Sequence, residues 1–426
     1  MNEKFLGYQC SLCGKKYGPE EVTYTCPEDG GNLNVVLDHE HIRASSSPDD
    51  IEAGLEHSVW RYLPLLPVED PGHLGSSLRS VGWTPLYAPE NLREAISMPK
   101  LWVKDDGRNP TASFKDRASA IVVSRAQEIQ ADRVVTASTG NAGAALAGMA
   151  AAAGVPAVIL APKTAPPAKV AQLLIFGADV YLVDGSYDHA FDLSVKASEK
   201  YGWYCRNTGY NPFTAEGKKT AAFEICEQLT LAEPGDTARG EAWRVPDAVF
   251  VSVGDGNIIS GLHKGFKDLL ALGWIEKMPR IFGIQARGSA AIYNAFAAGV
   301  ERIEAVEADT LADSISVDLP RDGIRALRAA TETGGAYLVV SDRSILAAMK
   351  HLAVLAGVFA EPAGAAAHAG LRKAVEAEMI SPEDTVVLLN TGNGIKDVAS
   401  AMEATGEARV IEPTIEALAE AVEGQA

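Results

Sequence analysis

Cysteine is scarce: the 426 residues hold 5, and three of them (Cys10, Cys13 and Cys26) lie near the start of the chain. An odd, clustered set is not a disulfide framework. It points to a reducing cytoplasm, with metal-type spacing at one end. Basic residues are also short, 38 Lys+Arg against 56 Asp+Glu, for a net charge of −18. That balance argues against a nucleic-acid partner, which needs a basic face. The opening stretch "MNEKFLGYQC" has neither a signal-peptide core nor transit-peptide character. Charge is absent from Val134 to Ala161, but this run is rich in Ala and Gly, contains "STGN" and is broken by "GVP" at 154–156. It reads as buried strand, turn, helix and strand, not as a membrane span. Tandem repeats are absent as well.

What is present is an ordinary globular composition, 47% hydrophobic and 22% charged, in a chain long enough for two or more domains. After an irregular connector over 40–82, the pattern alternates from about residue 115. Helix 115–130, strand "VVTAS", helix 142–153, strand "PAVILAP", helix 166–176, strand "DVYLVDG", helix 186–201 and strand "WYC" form a first set. Helix 213–230 then leads through a Gly/Glu/Arg loop to strand "DAVFVSVG", helix 257–271, strand "RIFGIQA" and helix 289–298. A loop over 301–322, helices 342–356 and 361–379, the strand "TVVLLN" and an amphipathic closing helix in "PTIEALAEAVEGQA" follow. Such alternation predicts parallel sheets covered by helices, an α/β fold.

Residues 1–38 read Cys-x2-Cys, a turn, then Cys-Pro-x-x-Gly-Gly, the outline of a zinc ribbon with two Gly-containing knuckles. The fourth ligand position, three residues after Cys26, is Asp29. Cys10, Cys13, Cys26 and Asp29 are therefore the candidate metal set. Three thiolates and a carboxylate are an uncommon structural combination. The expectation is a degenerate ribbon that keeps its shape by packing, with zinc not favoured.

Four further segments carry chemistry. In "NPTASFKDR" (109–117), Lys115 follows an apolar Ser-Phe step and precedes a carboxylate. Desolvation beside Phe114 lowers a lysine's pKa and equips the amine for Schiff-base formation. In "ASTGNAGAALAGMAAAAG", a strand runs through Ser138, Thr139, Gly140, Asn141 and Ala142 into a small-residue helix whose start suits an anion. In "VSVGDGNIISGLHKG", Gly254, Asp255, Gly256 and Asn257 lie between a strand and a helix, where successive amides cradle a phosphate. It is neither the Lys-containing P-loop nor a dinucleotide fingerprint. In "NTGNGIKD", Thr391 closes the last strand with a hydroxyl able to donate to a ring nitrogen. An amine nucleophile, a carboxylate site, a phosphate cradle and a hydroxyl for a heterocycle are together what pyridoxal 5'-phosphate needs.

Those motifs resemble the threonine-synthase-like family of fold-type-II (tryptophan synthase β-like) pyridoxal-phosphate enzymes. The family's "NPTGSFKDRG" is similar to "NPTASFKDRA", and its "SSGNTGAS" to "STGNAGAA"; "EGKKTAAFEI" and "EPAGAAAHAG" also resemble family segments. The resemblance implies two parallel-sheet α/β domains: a large cofactor-binding one from 39–114 and 210–410, and a small one from 115–209. The ribbon (1–38) would precede them and a C-terminal helix (411–426) would follow. It implies that Lys115 is the Schiff-base residue and catalytic base, with Phe114 beside the cofactor. Asn141 would bond the ring's 3' oxygen, Gly254–Asn257 the cofactor phosphate and Thr391 the ring nitrogen. Ser138, Thr139, Gly140 and Ala142 would hold the substrate carboxylate. A homodimer is implied too.

The chain departs from the family where a substrate phosphate would bind. The usual Asn-Ser-Val-Asn-Pro-x-Arg appears as "NTGYNPFT", which keeps Asn207 but puts Thr214 in place of Arg. Arg forks phosphate oxygens in a way Thr does not. Lys218 or Lys219, one helical turn on, is the expected replacement. The implied activity is conversion of O-phospho-L-homoserine and water to L-threonine and phosphate. The alternative is β-elimination or β-replacement on another amino acid, as in a serine or threonine dehydratase or a cysteate-synthase-like enzyme.

Overall fold

The computed structural model describes residues 3–232 and 242–423. Much of the Gly/Glu/Arg loop expected after residue 230, and the last three residues of the C-terminal segment, lie outside the described residues.

The chain begins with β1 (Phe5–Cys10), β2 (Lys16–Tyr17) and β3 (Leu33–Leu37), an antiparallel sheet in the order β2-β1-β3. Short helices α1 (His39–Ser45) and α2 (Pro48–Glu52) and two 3-10 turns lead to β4 (Leu86–Tyr87), α3 (Glu90–Ala95) and β5 (Leu101–Asp105). Next come α4 (Lys115–Glu128), β6 (Val134–Ala137), α5 (Asn141–Ala153), β7 (Ala157–Pro162), α6 (Pro167–Ile175), β8 (Asp179–Val183), α7 (Tyr187–Tyr201) and β9 (Tyr204–Cys205). The long helix α8 (Phe213–Ala232) opens a second series of β10 (Ala248–Ser252), α9 (Asn257–Leu272), β11 (Arg280–Ala286), α10 (Ala291–Ala298), α11 (Gly323–Thr331), β12 (Tyr337–Val340), α12 (Asp342–Ala356), α13 (Pro362–Glu376) and β13 (Val386–Asn390). Helices α14 (Val398–Thr405) and α15 (Ile415–Glu423) end it.

Two parallel sheets result, as the alternation predicts. The larger has the order β12-β11-β10-β13-β5-β4, with only β4 antiparallel, and the smaller has the order β8-β7-β6-β9. β10 and β13 are buried along their whole lengths, as sheet centres covered on both faces must be. Each large apolar side chain buried there contributes roughly 1.5–3 kcal/mol. Among the elements not anticipated are α11 and β12. Both are short, and β12 is a four-residue run between "TGG" and "SD" whose pairing with β11 decides its state. The expected closing helix forms as α15, yet none of its residues is buried.

The helix layer is drawn tight by glycine. A Cβ at Gly217 of α8 would fall 2.1 Å from the Arg117 carbonyl of α4, and one at Gly265 of α9 would fall 2.5 Å from the Lys219 carbonyl of α8. Such close approach forces charged residues of α8 into the interior, where each needs a partner. Glu227 takes Arg61 (2.5 Å) and the Tyr62 hydroxyl (2.6 Å). Lys219 takes Glu216 (2.5 Å) and Asp268 (2.8 Å). Glu224 takes Arg117 of α4 (2.5 Å) and Lys104 of β5 (2.6 Å), while Arg117 also reaches Asp106 (2.5 Å). These cations hold the Glu224 carboxyl down at about 2 despite its burial. Arg117→Met would leave two buried carboxylates short of a partner. It is expected to cost about 3–5 kcal/mol, read as a lower urea midpoint.

Candidate active site

The turn before α4 is built by its own polar residues. The Thr111 N–H donates to the Asp116 carboxylate (2.6 Å), and the Thr111 hydroxyl donates to its other oxygen. Burial raises Asp116 to about 6 in spite of these bonds. Ala112 sits at φ 63, a left-handed conformation that costs an L-residue about 1–2 kcal/mol. This is the position where the family motif has Gly. The turn is tied to the end of β13: the Phe114 N–H donates to the Thr391 carbonyl (2.9 Å), and the Asn393 N–H to that of Ala112 (3.0 Å). Lys115 is thereby fixed beside Thr391.

Across from it, β6 ends in a turn with Gly140 as N-cap and Asn141 as first residue of α5. A Cβ on Gly143 would come 2.3 Å from the Ser138 carbonyl, so helix and turn pack too closely for any other residue. The Asn141 amide donates to Glu361 (2.7 Å) and Ser314 (3.2 Å). On the third side, β10 turns through Gly254–Asn257 into α9. Gly256 is left-handed (φ 89), and a Cβ on Gly254 would meet Ile315 at 2.8 Å.

These three turns enclose a cavity of about 770 Å³. Lys115, Ser138, Thr139, Gly140, Asn141, Ala142, Gly254, Asp255, Gly256, Asn257 and Thr391 all line it, as does Lys218. Three expected residues do not. Phe114 is buried behind the turn, with Arg117 over its ring at 5.4 Å. Asn207 binds elsewhere: its oxygen accepts from the Thr136 hydroxyl (3.0 Å) and the Ala137 N–H (2.9 Å), and its amide donates to Ser194 (2.7 Å). It shapes the end of β6 without facing the cavity. Lys219 points to Asp268, because successive helical residues diverge by roughly 100°. Thr214 is fully buried, its hydroxyl donating to the Asn211 carbonyl (2.7 Å).

The residue that sequence reasoning missed is Arg206. It lines the cavity, fully buried, one position before Asn207 in the segment singled out for phosphate. Its Nε donates to Ser119 (3.2 Å) and Nη1 to Thr208 (2.7 Å), while Nη2 is buried without a partner. Desolvation lowers its pKa to about 10. Lys218 donates to the Asn257 side chain (2.6 Å), and no carboxylate pairs with it among the described residues. Desolvation first, then Arg206 and Lys115, push its pKa well down. The Lys115 pKa is lowered by desolvation too, against the pull of Glu361. Glu361 was also missed, although it begins the quoted "EPAGAAAHAG" and is the N-cap of α13. Burial raises the Asp255 pKa toward the neutral form, which suits an anion beside it.

The comparisons with known proteins agree with this geometry. A family model described as pyridoxal-phosphate dependent enzyme matches residues 78–392. A threonine synthase of Methanocaldococcus jannaschii is 38% identical over 406 residues, covering 95% of this chain and 96% of its own. One from Methanosarcina acetivorans is 38% identical over 421 residues, covering 98% and 99%. Among solved structures, the processed form of threonine deaminase isoform 2 from Solanum lycopersicum superposes with TM-score 0.65 at 24% identity, over 82% of this chain and 94% of its own. The chain belongs to the pyridoxal-phosphate dependent enzyme family, and within it groups with the threonine synthases. Its fold is the α/β fold of the type-II enzymes. The site fits the cofactor: an amine without an ion-pair partner among the described residues, a glycine turn with no room for a Cβ and an orphaned guanidinium nitrogen meet in one cavity.

Glu361 holds the Lys115 pKa up by its charge, so Glu361→Gln should lower it further. In cofactor-free protein, amine-reagent labelling of Lys115, followed against pH by mass spectrometry, is expected to shift to lower pH in that variant.

Proposed function

We propose that this chain converts O-phospho-L-homoserine and water to L-threonine and phosphate. The observation that carries the reading is the unpaired cationic wall formed by Arg206 and Lys218 in the cavity that also holds the Lys115 amine. On α8, Glu216, Lys219, Glu224 and Glu227 each have an opposite charge at hand, and Lys218 has none among the described residues. A phosphate dianion would fill that gap.

In this reading the cofactor, when bound, supplies the electron sink for charge at the substrate Cα. Gly254–Asn257 would hold its phosphate, Asn141 would meet the ring oxygen, and Thr391 would donate to the ring nitrogen and leave it neutral. The start of α5, Ser138 to Ala142, receives the substrate carboxylate at amides that lack intrahelical acceptors. Lys115 takes the Cα proton, and a Cβ proton is lost as phosphate departs from Cγ; Cγ then gains a proton, water adds its hydroxyl at Cβ and Cα regains its proton, which leaves threonine and phosphate. Arg206, with Thr208 and Lys218, holds the substrate phosphate in place of the Arg that Thr214 replaces. Residues 115–209 form the small domain, and 39–114 with 210–410 the large one. No helix among the described residues is long and apolar enough to cross a membrane. A homodimer at work in the cytoplasm, where its cysteines stay free, completes the proposal.

Phosphate release and threonine formation from O-phospho-L-homoserine are the direct test. Losing a buried charged partner costs about 2–5 kcal/mol, so Arg206→Met should raise KM for this substrate roughly 30- to 4,000-fold. Lys219→Met should act on stability and leave KM alone. Thr391→Ala should keep the cofactor colour and lose turnover. Ammonia and keto acid from serine or threonine, with no phosphate release, would select the elimination reading instead.

A further inference from the structure

The four ribbon residues set aside by their unusual composition converge in space. One ligand atom from each of Cys10, Cys13, Cys26 and Asp29 lies within 4.8 Å of all the others. The Cys13 and Cys26 sulfurs are 3.8 Å apart, the separation that two bonds of ~2.3 Å to a tetrahedral zinc impose (about 3.8 Å). Cys10 Sγ is 3.3 Å from Asp29 Oδ1.

The two knuckles also match each other. Cys10-x-x-Cys13 is followed by Gly14 at φ 73, and Cys26-x-x-Asp29 by Gly30 at φ 71. In each, the glycine N–H donates back to the carbonyl of the first cysteine, at 3.1 and 2.8 Å. Asp29 thus occupies in the second knuckle the place that Cys13 holds in the first. The Leu12 N–H points at Cys10 Sγ (3.3 Å), the amide-to-sulfur contact that stabilises a thiolate. A Cβ on Gly31 would come within 2.8 Å of Cys10 Sγ, so the loops close on the cluster without spare room.

The ribbon is not an isolated appendage. Just past the second knuckle, the Asn32 amide donates to the carbonyls of Gly209 and Arg321. Arg325 of α11 donates to the Leu33 carbonyl (3.1 Å) and the Asn34 side chain (3.0 Å), and it forks Asp322 at 2.6 and 2.7 Å. Asp322 in turn accepts from the Asn257 amide (2.7 Å), and its N–H donates to the Asp255 carbonyl (2.9 Å). A continuous set of buried and part-buried polar contacts runs from beside the knuckles to the 254–257 turn.

From this juxtaposition we infer that Cys10, Cys13, Cys26 and Asp29 bind one zinc ion, and that the metal-clasped ribbon buttresses the 254–257 turn in its grip on a phosphate group. Thiolates favour zinc over the hard divalent ions. The second half of the inference rests on the cofactor-phosphate role proposed for that turn; the first half does not. Neither half depends on which amino acid the enzyme transforms.

Metal analysis of the protein purified without added metal should find about one zinc per chain. Cys13→Ser, at the exposed thiol ligand, should lower it below one tenth. Asp29→Cys completes a four-thiolate set and should slow zinc release to a chromogenic chelator at least tenfold. Zinc removal from cofactor-free protein should weaken pyridoxal phosphate binding, read by absorbance titration, about tenfold with far-UV circular dichroism unchanged. Readdition of zinc should restore it. Absence of zinc from both wild type and Asp29→Cys, or a Cys13–Cys26 disulfide in the native protein, would overturn the metal site. Stoichiometric zinc with unaltered cofactor affinity would overturn the buttress. Loss of the proposed reaction alone, with these readings intact, would count against the substrate and not against the zinc.

Discussion

The buried pairing of Arg117 with Glu224 and Asp106 is the constraint on which the site depends. Arg117 lies two residues after Lys115, at the start of the helix that opens between the two sheets. Its guanidinium is fully buried, with Lys104 completing a group of two cations and two carboxylates. A charge desolvated in this way is stable only where its partners converge. α4, α8 and β5 can therefore meet in one arrangement. The position of Lys115, set by the same first turn and by the bonds from Asn393 and Phe114 to the 112 and 391 carbonyls, follows from it.

Against that neutralised interior, the cleft carries an imbalance. A chain of net charge −18 gathers Lys115, Arg206 and Lys218 around one cavity and gives none of them an ion-pair partner among the described residues. Each pKa is pushed down chiefly by burial. For Lys115 this favours the neutral amine that attacks carbonyl carbon. For the other two it is an energetic cost that any bound anion would relieve. Burial also raises the pKa values of Glu361 and Asp255 in the same cleft.

The alternation of apolar strands with Ala-rich helices made both parallel sheets legible, because strands covered on two faces need continuous apolar runs. Lys115, the 138–142 turn, the 254–257 turn and Thr391 were legible for a related reason. Each lies at a strand end or helix start, where Gly and small polar residues are required by close backbone approach. α11 and β12 were not legible, since a four-residue strand between turns is decided by its neighbour β11. Lys219 was misplaced because sequence spacing alone does not say which side of a buried helix faces a cavity. Asn207 was misplaced because an amide can serve its own fold as readily as a ligand.

By itself the sequence determined the α/β class, the cofactor motifs and the knuckle spacing, since these follow from local period, turn chemistry and residue type. Only the tertiary structure decided that Arg206 reaches the cavity with an orphaned nitrogen while Thr214 is sealed away, and that Lys218 faces inward while Lys219 pairs with Asp268. It also decided that the ribbon's thiols converge and that Arg325 ties the strand beside them to Asp322, which meets the 254–257 turn. The reason is that burial and partnering of charge depend on elements far apart in the chain. Arg117 meets Glu224 across 107 positions, and Arg325 meets Leu33 across 292, separations over which local sequence carries no geometric information.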